Sequence, residues 1–154
     1  MDVAAAVQEL LDREAIADLI YAYCDHFDRN EPEQVAALFT ADATIDYGPE
    51  SDTIVGAEHI APTIAIGLER TFAATSHHVS NIRILFQDAD HASSEAYLYA
   101  WHRYVDRSRD GELWGRYRHR FTRTADGWRI AELVLVAAGS ADFHRSTMHP
   151  IGRR

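Results

Sequence analysis

The sequence predicts a single α+β domain. Helical periodicity is confined to roughly the first seventy residues, strand-like alternation occupies the second half, and a length of 154 residues suits one core. A chain of this size buries about two-thirds of the surface its unfolded form exposes, so a second independent core is not expected. No repeat, low-complexity tract or Gly/Ser linker divides it. The domain is expected over residues 1–140, with 141–154 as a C-terminal tail that is either a mobile end or a flap that closes a pocket or reaches a neighbouring subunit.

The elements follow in order. Val7, Leu10 and Leu11, then Ile16, Leu19, Ile20, Tyr23, Cys24 and Phe27, recur at i, i+3, i+4 and predict one amphipathic helix over about residues 3 to 29. Asn30 and Pro32 end it, and Pro32 suits the first turn of a short second helix, PEQVAALF. Thr40 to Ala43 reads as a connection. Short strands are expected at Ala43 to Tyr47 and Thr53 to Val55, around a turn at Gly48 to Asp52, and a third helix over 57–70. Long strands over 77–87, 93–106, 113–124 and 128–138 are separated by turn-forming clusters such as Ala125-Asp-Gly127, which together predict an antiparallel meander.

Composition excludes several function classes. A formal net charge of -9 opposes attraction to polyphosphate, so no nucleic-acid partner is expected. Arg116, Arg118 and Arg120 alternate with Tyr117, His119 and Phe121, which reads as the solvent face of a strand and not as a binding patch. No apolar run approaches the roughly 18 residues of a membrane span, so no membrane partner is expected. The N-terminal MDVAAAVQELLDREAI carries acidic residues where a secretory signal is basic, which predicts a cytoplasmic protein. The single Cys24 excludes an intramolecular disulfide and lies on the apolar helix face as an inert thiol. No HxH, HxxxH or HExxH spacing suggests a metal site, and no phosphate-cradling glycine loop suggests a nucleotide, so no cofactor is expected.

Asp28 stands out chemically. It lies four residues after Cys24 and eight after Ile20, on or beside the apolar stripe, in a last turn where the helix dipole disfavours a carboxylate. It needs a cationic or hydrogen-bonding partner there, unless it is a partly exposed cap of the next turn. Nine histidines supply candidates, with His77, His78, His102 and His119 on predicted strands. Alternation groups His77 with Val79, Asn81, Arg83 and Leu85, and His78 with Ser80, Ile82, Ile84 and Phe86. It does not choose between the two.

Three stretches, REAIADLIYAYCDHFDRNEPEQVAALFTADATID, TSHHVSNIRI and GRYRHRFTRTADGWRI, taken in their order and spacing, resemble the SnoaL-like branch of the nuclear transport factor 2-like superfamily. The resemblance implies a cone-shaped barrel of a strongly curved, mostly antiparallel sheet, closed over an apolar pocket by three helices. The first stretch is similar to hexachlorocyclohexane dehydrochlorinase, which implies a catalytic pair of Asp28 and His77. Similarity to scytalone dehydratase implies a second active-site histidine at His102, and similarity to bile-acid dehydratases implies a tyrosine at Tyr23. After Trp128-Arg-Ile130 the chain reads AELVLV, without the arginine that several relatives carry, so the sequence places no electrophilic arginine.

An Asp–His pair in an apolar cone suits proton abstraction from carbon followed by elimination. The expectation is a cofactor-free dehydratase-like lyase, with Asp28 orienting His77 as general base and His102 or Tyr23 donating to a carbonyl or departing hydroxyl. A ketosteroid-isomerase-like isomerase or polyketide cyclase is the alternative, and a noncatalytic binding domain or oxygenase support subunit is the alternative of another class. The expected partner is a small hydrophobic cyclic molecule such as a polyketide, steroid, terpenoid or aromatic derivative. Tyr21, Tyr23, Phe39, Tyr47, Phe86, Tyr99, Trp101 and Trp114 are an aromatic supply from which fewer than half need line the pocket. An open curved sheet also predicts a homodimer or homotrimer.

Overall fold

The computed structural model describes residues 2–152 and places three helices against one face of a six-stranded sheet. Helix α1 runs from Val3 to Asp28, its start capped by the Asp2 carboxylate, which accepts from the Ala4 and Ala5 amides. Ile16, Ile20, Tyr23 and Cys24 form its buried face. Asn30 ends it in the left-handed region at φ 58, a conformation that asparagine tolerates better than most residues. Pro32 then opens α2 (Pro32–Ala36).

The second helix is shorter than its sequence suggests, and the expected connection over Thr40 to Ala43 is strand. Strand β1 spans Phe39–Asp46 and pairs in parallel with the last strand, Phe39 opposite Ile130 and Ile45 opposite Leu133. The amide of Ile130 donates to the Leu38 carbonyl, and Phe39, Ala43 and Ile45 are buried, so sheet pairing overrides the helical spacing of Val35 and Phe39. Strand β2 (Ile54–Val55) forms one edge, and α3 (Ala57–Arg70) packs on β1, β2 and the next strand.

The remaining strands form the expected antiparallel meander: β3 (Phe72–Phe86), β4 (His91–Tyr104), β5 (Gly111–Thr124) and β6 (Gly127–Ala141). The sheet order is β2-β1-β6-β5-β4-β3, with β2 and β3 at the two edges, so the sheet curves without closing. Its curvature has local causes. Register shifts occur in β3 between Ser80 and Arg83, with Asn81 at φ 51, and in the β5–β6 pairing at Trp114/Gly115. At Gly115 a Cβ would sit 2.5 Å from the Val136 carbonyl oxygen, so only glycine lets the two strands approach there.

The concave face carries the core: Leu98, Ala100, Leu113, Tyr117, Phe121, Ile130 and Leu133 meet Ile16, Ile20 and Tyr23 of α1. On β5 the alternation holds as expected, with Tyr117, His119 and Phe121 buried and Arg118 and Arg120 exposed. Cys24 is buried in this core, and burial pushes its thiol up to about 12. We expect the folded protein to resist a chromogenic disulfide reagent near pH 8 and to react stoichiometrically once urea unfolds it. Rapid reaction of the folded chain would contradict that.

The tail is ordered over the mouth of the cone. His149 faces Asp46 at 2.9 Å, and Ser146 and Thr147 both donate to Glu50. Backbone bonds from Ala137 to His149 and from Ile151 to Ala137 join the segment to β6. Among the described residues no helix is long and apolar enough to cross a membrane.

Candidate active site

Asp28 closes α1 at the open end of the cone and meets the start of β3. Its Oδ1 lies 2.6 Å from His77 Nδ1 and accepts from Thr75 Oγ1 at 2.7 Å, while Oδ2 accepts from the His77 backbone amide at 2.7 Å. Burial pushes the carboxyl up, but these donors outweigh it and hold Asp28 below its ordinary value of 3.8. An ionised carboxylate only accepts, so His77 Nδ1 carries the hydrogen of this bond and Nε2 is the ring nitrogen left outside it. The His77 side chain is 6% exposed and packs edge-on against Phe27 at 5.0 Å. Nε2 forms no hydrogen bond among the described residues.

The neighbouring His78 points the other way. It is exposed, with Nε2 2.9 Å from Ser76 Oγ and its ring near Tyr99 on the outer face. The grouping of His77 with Leu85 by alternation fails because the β3 bulge exchanges faces partway along the strand. Val79 packs inward before the bulge and Ile82, Ile84 and Phe86 after it, leaving Leu85 63% exposed.

His102, on β4 and paired with Thr75, lies on the pocket wall with its ring 5.6 Å from that of His77. It is 4% exposed, and burial, aided by His77 and His144, pushes it down to about 3. It is therefore a neutral imidazole, and its buried Nδ1 has no hydrogen-bond partner among the described residues. Tyr23 donates to or accepts from Tyr47 at 2.6 Å. Burial raises both phenols, Tyr47 to about 12 and Tyr23 well above its ordinary value, so both stay protonated. Two hydroxyls sharing one hydrogen bond leave one hydrogen free to donate.

These groups surround an apolar cavity of about 120 Å³. Of the aromatic supply, Tyr23 and Tyr47 line it, Phe39 and Phe86 pack in the interior, and Tyr21, Tyr99, Trp101 and Trp114 lie elsewhere. Its other aromatic walls are Phe27, Phe72, Tyr117 and Phe143, which sequence reasoning did not single out. Phe27 follows the helical stripe, Tyr117 the alternation of β5. Phe72 falls in the part of β3 that precedes its expected start, since Ala73, Ala74 and Ser76 give no strand signal.

His144 and Arg145 of the tail also line the cavity; the sequence marks the tail as a whole as a flap or subunit contact but singles out neither residue. Arg145 Nη1 donates to the Tyr47 carbonyl at 2.7 Å and to Ser51 Oγ at 3.0 Å. Burial pulls this guanidinium down from its usual range, though it remains a cation. Among the described residues no group of three His, Cys, Asp or Glu side chains is arranged to hold a metal ion.

Comparison with known proteins identifies the family and agrees with the fold. The SnoaL-like domain matches residues 8–134. A candidate scytalone dehydratase from Novosphingobium aromaticivorans is similar over 97% of this chain and 99% of its own, with 32% identity and a TM-score of 0.90. A candidate aromatic ring hydroxylase from the same organism is 26% identical over 86% of this chain and 93% of its own, with a TM-score of 0.80. A hexachlorocyclohexane dehydrochlorinase from Novosphingobium barchaimii shares the fold at 18% identity and a TM-score of 0.81, covering 94% of this chain and 99% of its own. No curated protein matches by sequence.

Proposed function

This chain belongs to the SnoaL-like domain family of the nuclear transport factor 2-like superfamily, and from that premise we propose a cofactor-independent lyase that removes water from a small cyclic substrate by Asp28–His77 acid/base catalysis. The observation that carries this reading is the 2.6 Å contact that fixes the His77 tautomer and leaves Nε2 free in an apolar pocket.

The steps conserve every proton. His77 Nε2 removes a proton from the carbon next to a substrate carbonyl, and Asp28 stabilises the imidazolium. The free hydrogen of the Tyr23–Tyr47 pair donates to the carbonyl oxygen as negative charge develops there. The imidazolium then returns its proton to the departing β-hydroxyl, which leaves as water and resets the pair. His102, neutral at working pH, orients that hydroxyl by hydrogen bonding without supplying the proton. Return of the proton to another carbon would instead give isomerisation.

Substrate size follows from the cavity. An engineered protein cavity of ~150 Å³ admits benzene, so about 120 Å³ suits one ring, and a steroid would require the tail to move. The exposed Tyr97 and Trp114 support self-association as a homodimer or homotrimer through the outer face of β4 and β5.

The test is incubation with monocyclic β-hydroxy carbonyl compounds in deuterated water, followed by mass spectrometry. Loss of water is expected. Deuterium uptake without water loss would move the reading to an isomerase, and inertness toward the whole panel would count against catalysis.

A further inference from the structure

The tail supplies a cation that the dyad chemistry leaves unused. Both hydrogens of Arg145 Nη1 are committed, one to the Tyr47 carbonyl and one to Ser51. These bonds fix the plane of the guanidinium while the opposite edge, formed by Nε and Nη2, has no hydrogen-bond partner among the described residues. That edge is the side-on fork that matches the two oxygens of a carboxylate.

The nearby acidic groups do not fill it. Glu50 accepts from Ser146 and Thr147, Asp46 accepts from the Gly48 amide and faces His149, and neither forms an ion pair with Arg145. A half-buried guanidinium on the wall of an apolar cavity, with Glu50 and Asp46 near but no ion pair within 4 Å among the described residues, stands where an anionic ligand would be held. The space favours a small, singly charged, planar anion over a phosphate ester, because one guanidinium and about 120 Å³ of otherwise apolar cavity offer little for a second charge.

We propose that Arg145 binds a carboxylate on the substrate, so that the pocket takes a monocyclic carboxylic acid in preference to a neutral ring compound. The assignment builds on the lyase reading, which places the reacting carbon beside His77 and leaves the far substituent for the tail. It makes the tail a specificity-determining part of the site.

Binding, measured without turnover, tests it. Isothermal titration of the full chain with benzoate, benzamide and benzyl alcohol is expected to show benzoate bound at least about tenfold more tightly than either neutral probe. Arg145→Gln is expected to remove that preference by weakening benzoate far more than benzamide, and Arg145→Lys, which keeps the charge without the fork, to retain part of it. Equal affinity for benzoate and benzamide, no measurable benzoate binding, or a preference that survives Arg145→Gln would overturn the proposal. Loss of all three probes in both variants would also overturn it, since that is the signature of a purely structural arginine. Asp28→Asn separates the two readings. Benzoate preference retained in this variant, with no hydroxy acid turned over by the wild type, would sink the lyase reading alone. Turnover of neutral rings without any carboxylate preference would sink the arginine assignment alone.

Discussion

Asp28→Asn is expected to lower kcat about 10³- to 10⁴-fold while the chain stays folded, because the substitution removes the charge that fixes the His77 tautomer and stabilises its imidazolium. The amide oxygen can still accept from Thr75 or the His77 backbone, so local geometry survives while the electrostatics do not. Loss of a carboxylate in the last turn of α1 also removes an unfavourable interaction with the helix dipole, which limits the cost in stability. His77→Ala is expected to reduce turnover by a similar factor, and the double variant little further, because the two residues act as a unit. Steady-state kinetics alongside thermal melts check this. Near wild-type turnover in a folded Asp28→Asn would refute the dyad.

The largest expected effect on stability lies earlier in the same helix. Asp12 is buried, with Arg123 at 2.6 Å and Trp128 Nε1 donating at 3.1 Å. Asp12→Ala removes the acceptor of the Trp128 indole and leaves the partly buried Arg123 guanidinium only the Ala89 carbonyl and the more distant Asp90, and is expected to cost about 2–4 kcal/mol at neutral pH. The hydrogen bond from Arg123 is the main cause that holds the Asp12 carboxyl below its ordinary value of 3.8, against the upward push of burial. A depressed carboxyl contributes stability that is present above its unfolded value and lost as pH falls through its folded one. The gap between wild type and Asp12→Ala should therefore be widest near neutrality and shrink below about pH 4. Urea unfolding at about pH 7 and pH 3 measures it, and a gap of equal size at both would show that packing, not charge, is lost.

How much of this was legible depends on which physical signal each residue carries. The long helix, the meander and the outward arginines of β5 follow from hydrophobic period alone, because burial on one face imposes it. Strand β1 was misjudged over Thr40 to Ala43, since its pairing with β6 is a contact between residues some ninety positions apart that no local pattern encodes. The bulge at Asn81 defeated simple alternation in β3, and only the resemblance selected His77 over His78. Asp28 announced itself by helix phase. His144 and Arg145 did not, because a tail without period gives no sign of the direction in which it folds back.

The way that tail is fastened divides labour within the molecule. The groups proposed for chemistry stand on α1, β3 and β4 and, for Tyr47, just after β1, whereas Phe143, His144 and Arg145 ride on a strap held by a few polar ties, the packing of Phe143 and Met148, and a short pairing with β6. The strand pairing from β3 to β6 does not run through the strap. Variation in those few residues would then give such a scaffold a new clientele while its reaction stays the same, an economical route by which one acid/base engine diversifies.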